Sequence, residues 1–152
     1  MRGVARTLVA LCLLLAGAAT PADASAGVSC HTINAKGVGQ DLGGGRTEAQ
    51  IVGGGLLHGT TQAAFTITGL NGTVASFVGA IVFTVNNATL TANVAGTLDV
   101  ASGVFAATTS GVTGTGKLAG ATGSLAFNGA EDLTDGSFTE DVNGEICVDL
   151  SP

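Results

Sequence analysis

An all-β fold, a closed antiparallel barrel of about eight strands, is what this sequence predicts, with a β-sandwich as the alternative. Three observations carry the prediction. Apolar and polar residues alternate along most of the chain. The clearest run sets Leu90, Ala92, Val94, Leu98 and Val100 on one side against Thr89, Thr91, Asn93, Thr97 and Asp99 on the other. Turn pairs recur between such runs: Asn71-Gly72, Asn86-Asn87 and Asn143-Gly144. No segment shows a helical apolar period with caps. Closure into a barrel would remove the exposed edges of a threonine-rich sheet, and the many small side chains and glycines suit its tight corners.

The chain opens on a processing signal. Arg2 and Arg6 form a basic n-region, Leu8 to Ala19 is apolar and uncharged, and small residues flank cleavage sites after Ala24 or Ala26. Residues 1–24 are therefore set aside as a signal peptide, and residues 27–152 form one domain by length. The apolar run is too short to span a bilayer and no second one follows, so the expectation is a secreted chain, extracellular or periplasmic, with no membrane partner.

Taken in order, Val28 to Ala35 predicts a first strand. Lys36 to Gly45, rich in glycine, reads as a flexible connection. Its Gly37-x-Gly39-x-Asp41 resembles one copy of a calcium-binding nonapeptide, but such sites need stacked copies, so it reads as a loop. Glu48 to Leu57 predicts a second strand interrupted at Gly53-Gly54-Gly55. Thr60 to Leu70 is the third, with Phe65, Ile67 and Gly69 on one face, and Asn71-Gly72 after it signals a type I′ hairpin. Thr73 to Val85 follows, with Ile81, Phe83 and Val85 alternating, then the Asn86-Asn87 turn and the strand Ala88 to Val100.

A weak internal repeat comes next. Asp99 to Phe105 and Asp132 to Phe138 share the pattern Asp-apolar-x-polar-Gly-x-Phe, a turn between two strands, so Leu90–Thr109 and Gly123–Val142 predict two hairpins of similar build. Asn143-Gly144 predicts a last tight turn and Glu145 to Leu150 a last strand. Leu90, Val94, Leu98, Phe105, Leu125 and Phe127 belong to the expected inner face.

Between the two hairpins, Gly111 to Phe127 packs glycines at 111, 114, 116, 120 and 123, a sharp bend feeding a strand. Gly111-x-x-x-x-Gly116-Lys117 has the spacing of a phosphate loop, but Leu118 stands where Ser or Thr should hold magnesium, and the Ala-Gly-Ala-Thr-Gly that follows is a poor helix. The segment Gly114 to Leu125, Gly-Thr-Gly-Lys-Leu-Ala-Gly-Ala-Thr-Gly-Ser-Leu, resembles the Gly-Thr-Gly-x-Phe-x-x-Ala-x-Gly element of the dirigent and allene oxide cyclase proteins and of small exported bacterial proteins that share it. The resemblance covers about a dozen residues, and Leu118 replaces the usual aromatic. It implies an eight-stranded antiparallel barrel whose interior orients or cyclises reactive apolar molecules. It carries over no catalytic residue.

Charge narrows the partners. Removing Arg2, Arg6 and Asp23 from five basic and eleven acidic side chains leaves three and ten, a formal charge of −7. That argues against nucleic acid and anionic membranes as partners. There is no Trp and no Tyr, which lowers the sugar-binding and single-strand-binding readings. Of three cysteines, Cys12 leaves with the signal. Cys30 and Cys147 remain near the two ends of an exported chain and predict a disulfide. Both fall on the face of their strands opposite Ile33 and Ile146, so the staple should lie outside the barrel and tie first strand to last.

Candidate chemistry is sparse. His58 sits near a turn, with Asp41 and Glu48 as distant candidates for an orienting carboxylate. His31 reads as a surface strand residue. Glu131, Asp132, Asp135, Glu140, Asp141 and Glu145 concentrate acid around two turns, where calcium or paired-carboxylate chemistry is weighed against ordinary solvation. Solvated turns are the preferred reading. Asn71 and Asn87 begin glycosylation sequons. No cofactor or metal site is expected. The functional expectation is a secreted barrel without evident catalytic machinery that takes a small apolar ligand inside. A dirigent-like or allene oxide cyclase-like isomerase is one alternative, and a structural or surface-interaction protein is the other.

Overall fold

The computed structural model describes residues 27–149, and the expected signal peptide lies outside them. Eight strands form a closed antiparallel barrel in simple sequence order. They are β1 (Ser29–Gly43), β2 (Arg46–Gly53), β3 (Gly59–Asn71), β4 (Val74–Val85), β5 (Ala88–Asp99), β6 (Val104–Gly114), β7 (Thr122–Glu131) and β8 (Ser137–Val148). β1 closes the barrel against β8, from Ser29 opposite Val148 to Gln40 opposite Ser137. Closure leaves no free strand edge, and the barrel of the sequence reading stands over the sandwich.

The order of the strands gives the barrel two unlike ends. One carries the start of β1 and the end of β8, the Asn86-Asn87 turn and two single-turn 3-10 helices, Gly55–Leu57 and Gly116–Leu118. Leu57 and Leu118 project from these turns and are 0% and 2% exposed. They close that end over Ile33, Ile51, Phe83, Leu90 and Ile146, all buried. The Gly111–Phe127 segment thus contains the predicted corner. Thr115 holds it down: its Oγ1 lies 2.7 Å from Thr89 Oγ1 and accepts the Thr89 N–H at 3.2 Å. The other end carries four hairpin turns.

Two of those turns are the predicted repeat. Asp99 Oδ1 accepts the Ala101 N–H at 3.0 Å, and Asp132 Oδ1 accepts the Thr134 N–H at 2.8 Å. Gly103 and Gly136 then donate to the carbonyls of Asp99 and Asp132, each at 2.7 Å, with φ of 75° and 76°. A side-chain oxygen that stands in for a backbone acceptor, followed by a left-handed glycine, explains the Asp-x-x-x-Gly spacing.

Three local expectations are corrected. Lys36 to Gly43 is strand, not loop: β1 pairs with both neighbours through Gly37 and Gly39. These glycines lie inside the barrel, where partner side chains fill the space a Cβ would take. Asn143-Gly144 is not a turn either. Both residues lie within β8, paired to β1 and β7. Gly144 is glycine because a Cβ there would strike the Ser124 carbonyl. At the β3–β4 hairpin the turn centres on Gly72-Thr73, with Asn71 paired to Val74 and φ of 62° at Gly72 alone, the type II′ pattern in place of I′.

Cys30 and Cys147 are directly paired across β1 and β8 and joined by a disulfide. Cys30 is exposed, as expected of a staple outside the barrel.

Candidate functional site

The inner face differs from one end to the other. At the closed end, Ile33, Ile51, Phe83, Leu90, Leu125 and Val142 fill the lumen, each 2% exposed or less. Toward the hairpin end the filling stops. A cavity of about 150 Å³ remains, floored by Phe127 and Ile81 and walled by Phe65, Phe77, Phe105 and Phe138. The rings pair edge to face, Phe65 with Phe77 at 5.1 Å between centroids and Phe105 with Phe138 at 6.0 Å. Ile67 lines the mouth and is 58% exposed.

The rings lie where they do because a glycine faces each one. Phe65 is registered opposite Gly79, Phe77 opposite Gly96, Phe105 opposite Gly129 and Phe138 opposite Gly39. In every pair a Cβ on the glycine would overlap the ring. A bulky side chain on one strand covers the bare backbone of the next, which protects the glycine's ladder and lays the ring against the wall.

Glu140 obeys the same rule. It points inward from β8, registered opposite Gly37 on β1 and Gly129 on β7. A Cβ on Gly37 would lie 2.7 Å from its Cγ and Oε1. A carboxyl therefore occupies a seat of the kind that four phenylalanines occupy elsewhere. Burial alone pushes it up to about 7 from an ordinary 4.5. Among the described residues, no hydrogen bond or ion pair reaches it. Glu131 on β7 and Asp41 on β1 line the same cavity nearer its mouth. Burial first, and then repulsion from Asp41, raise the Glu131 carboxyl. The Asp41 carboxylate accepts the Gly43 N–H at 2.8 Å.

The acidic cluster of the sequence is thus divided by strand parity. Glu131 and Glu140 enter the barrel. Asp132 and Asp135 bind turn amides, and the Asp135 carboxyl is held below its usual range by the Ser137 N–H. Asp141 pairs on the outside with Lys36 at 2.6 Å. The solvated-turn reading is corrected for two of them: Glu131 and Glu140 line the cavity, together with Asp41.

The histidines lie elsewhere. His58 follows the Gly55–Leu57 turn at the closed end and is exposed, while Glu48 faces outward from β2. His58 is therefore not placed to act with Asp41 or on anything in the cavity. His31, expected at the surface, shares the parity of Ile33 and is half-buried, with Nε2 sealed and unpartnered. Among the described residues one trio of potential metal ligands converges, Cys30, Glu145 and Cys147, and its two sulfurs are bonded to each other. Asn71 and Asn87 are exposed at their turns. No helix of the described residues is long and apolar enough to cross a membrane.

Comparison of the chain with family models, curated proteins and solved structures gives no match. The functional reading is accordingly built on the cavity.

Proposed function

We propose that this is an exported barrel that takes a small, mainly apolar ligand into its hairpin end. The carrying observation is the interruption of the core: one half of the lumen is filled, and the other is a phenylalanine-walled cavity open at its mouth. A cavity of about 150 Å³ holds a single benzene-sized group in known apolar sites. Here the remainder of a larger molecule would extend past Ile67 toward solvent. The leader pattern and the Cys30–Cys147 disulfide support export into an oxidising compartment.

Native mass spectrometry of protein purified from its source tests the reading, together with Ala107→Trp. Ala107 lines the cavity and is 6% exposed, so an indole there would fill it. The expected result is a retained or reloadable small molecule in the parent and none in the variant. A parent that neither retains nor accepts an apolar molecule would leave the structural or surface-interaction reading.

Glu140 favours a second reading. A carboxyl poised near neutrality beside an apolar void has what a general acid or base requires. With the resemblance of Gly114–Leu125, this supports an isomerase or cyclase of the dirigent or allene oxide cyclase kind. Loss of turnover in Glu140→Gln with ligand uptake unchanged would favour it over simple binding.

A further inference from the structure

Among the described residues, the two acids that line the cavity without a hydrogen-bond or ion-pair partner are Glu131 and Glu140. Asp132 and Asp135 have turn amides, Asp141 has Lys36 and Asp41 has the Gly43 N–H. Glu140 lies deeper than Glu131 and Asp41, on Gly37, and among the described residues no hydrogen bond or ion pair reaches its carboxyl. A buried carboxylate without a partner is costly, so its ionised form waits for a charge from outside the chain.

The lining defines that charge. Three carboxylates and five phenylalanines face the cavity, and among the described residues no lysine, arginine or histidine does. Phenyl faces carry the negative end of the ring quadrupole and attract cations, the more so out of water. An anionic ligand would meet repulsion from every polar charge in the site, and a neutral hydrocarbon would leave the carboxyl unmatched. Resting on the ligand-binding reading above, we infer that the ligand is a small organic cation, an apolar body bearing an ammonium group, held by the phenylalanine walls and neutralised by Glu140. Asp41 and Glu131 at the mouth draw it in, helped by the acidic field of the whole chain.

Uptake is then coupled to protons. In the empty cup the buried Glu140 carboxyl holds its proton near neutrality. An entering ammonium favours the carboxylate, and the proton leaves to solvent. The other charges around Glu140 are few. Asp41 faces in from β1 and Glu131 from β7, Thr47 and Thr61 bring only hydroxyls from β2 and β3, and Lys36 with Asp141 pairs on the outer surface. Cation affinity should therefore rise with pH through Glu140's titration.

The test compares phenyltrimethylammonium, whose charge is permanent, with its uncharged isostere tert-butylbenzene, by chemical-shift titration of the purified oxidised protein at pH 8 and pH 5.5. The cation is expected to bind at least tenfold more tightly at pH 8 and to lose most of that advantage at pH 5.5. Glu140→Gln should abolish both the preference and its pH dependence while leaving tert-butylbenzene within twofold. Should Glu140→Gln fail to fold, Glu131→Gln gives the same comparison at smaller amplitude. Binding of tert-butylbenzene as tightly as the cation would overturn the inference and leave the apolar-ligand reading standing. Binding of neither probe would overturn both.

Discussion

The two ends of the barrel are made from the same strands and obey the same inside–outside alternation, yet they are put to opposite uses. At the closed end, leucines from two 3-10 turns and isoleucines from the strands exclude all space, and a disulfide clamps the exterior. At the hairpin end the inward positions alternate between glycine and a ring, or between glycine and Glu140, and space is left over. Filling is a question of side-chain volume, and emptiness is a question of where glycines face their partners. On the proposed reading, the contrast separates stability from binding along the barrel axis. Changes at one end should be felt in unfolding, and changes at the other in what the lumen accepts.

The largest expected effect breaks the closed end. Phe83 is fully buried, and Phe83→Ala should cost about 3–5 kcal/mol, the usual toll of an emptied aromatic core site. Phe105→Ala, beside the existing cavity, should cost less than half as much. Denaturant midpoints measure both, and equal losses would erase the distinction between the ends.

Next comes the clamp. Cys30 and Cys147 are 117 residues apart, and replacing both by serine should lower stability by about 2–5 kcal/mol. Asp132→Ala, which removes one turn hydrogen bond at the hairpin end, should cost about 1 kcal/mol. A disulfide-free variant as stable as the parent would show that the β1–β8 ladder holds alone.

A smaller effect sharpens the hairpin end. Below pH 4.5 the Glu140 carboxyl is protonated in folded and unfolded chains alike. Between 4.5 and about 7 the unfolded chain releases that proton and the folded chain keeps it, so stability falls as pH rises through this window and levels above it. Glu140→Gln removes that slope. The variant should gain on the parent from pH 4.5 to 7 and then hold a constant margin. A margin independent of pH would mean that the carboxyl ionises in the cup as it does in water.

The smallest effect lies on the outside. Lys36 and Asp141 are 72% and 53% exposed, and Lys36→Ala should change stability by no more than about 0.5 kcal/mol. A larger loss would show that the outer wall behind Glu140 supports the cup.

Much of this was legible in the sequence. The alternation in Ala88–Asp99 set the parity of β5, the two Asp-x-x-x-Gly turns announced themselves as a pair, and two cysteines at the ends left one pairing. The cup was less legible for two physical reasons. Gly37 and Gly39 read as loop because glycine is a poor strand former in isolation. Their places in β1 depend on Glu140 and Phe138, a hundred residues away, and no local pattern reports such a register. Glu140 was read as a turn acid because its neighbours are acids at turns. Its parity with Phe138, Val142 and Ile146 was nevertheless visible, and that spacing of two is the signal that could have placed it inside.

The staple also dictates how such a molecule could breathe. With Cys30 bonded to Cys147, the backbone from one to the other is a covalent hoop, and its clasp is the seam that runs from Ser29 to Gln40 along β8. The shortest ladder lies elsewhere. β6 and β7 are registered only from Val104 to Thr108 against Ala126 to Ala130, and below that the Thr109 hydroxyl accepts the Leu125 N–H in place of a ladder bond. A hoop under strain opens away from its clasp. If the wall must part to let a bulky guest through, β6 and β7 are the strands to part, and amide exchange along Val104–Thr108 should outpace exchange along Ile33–Val38.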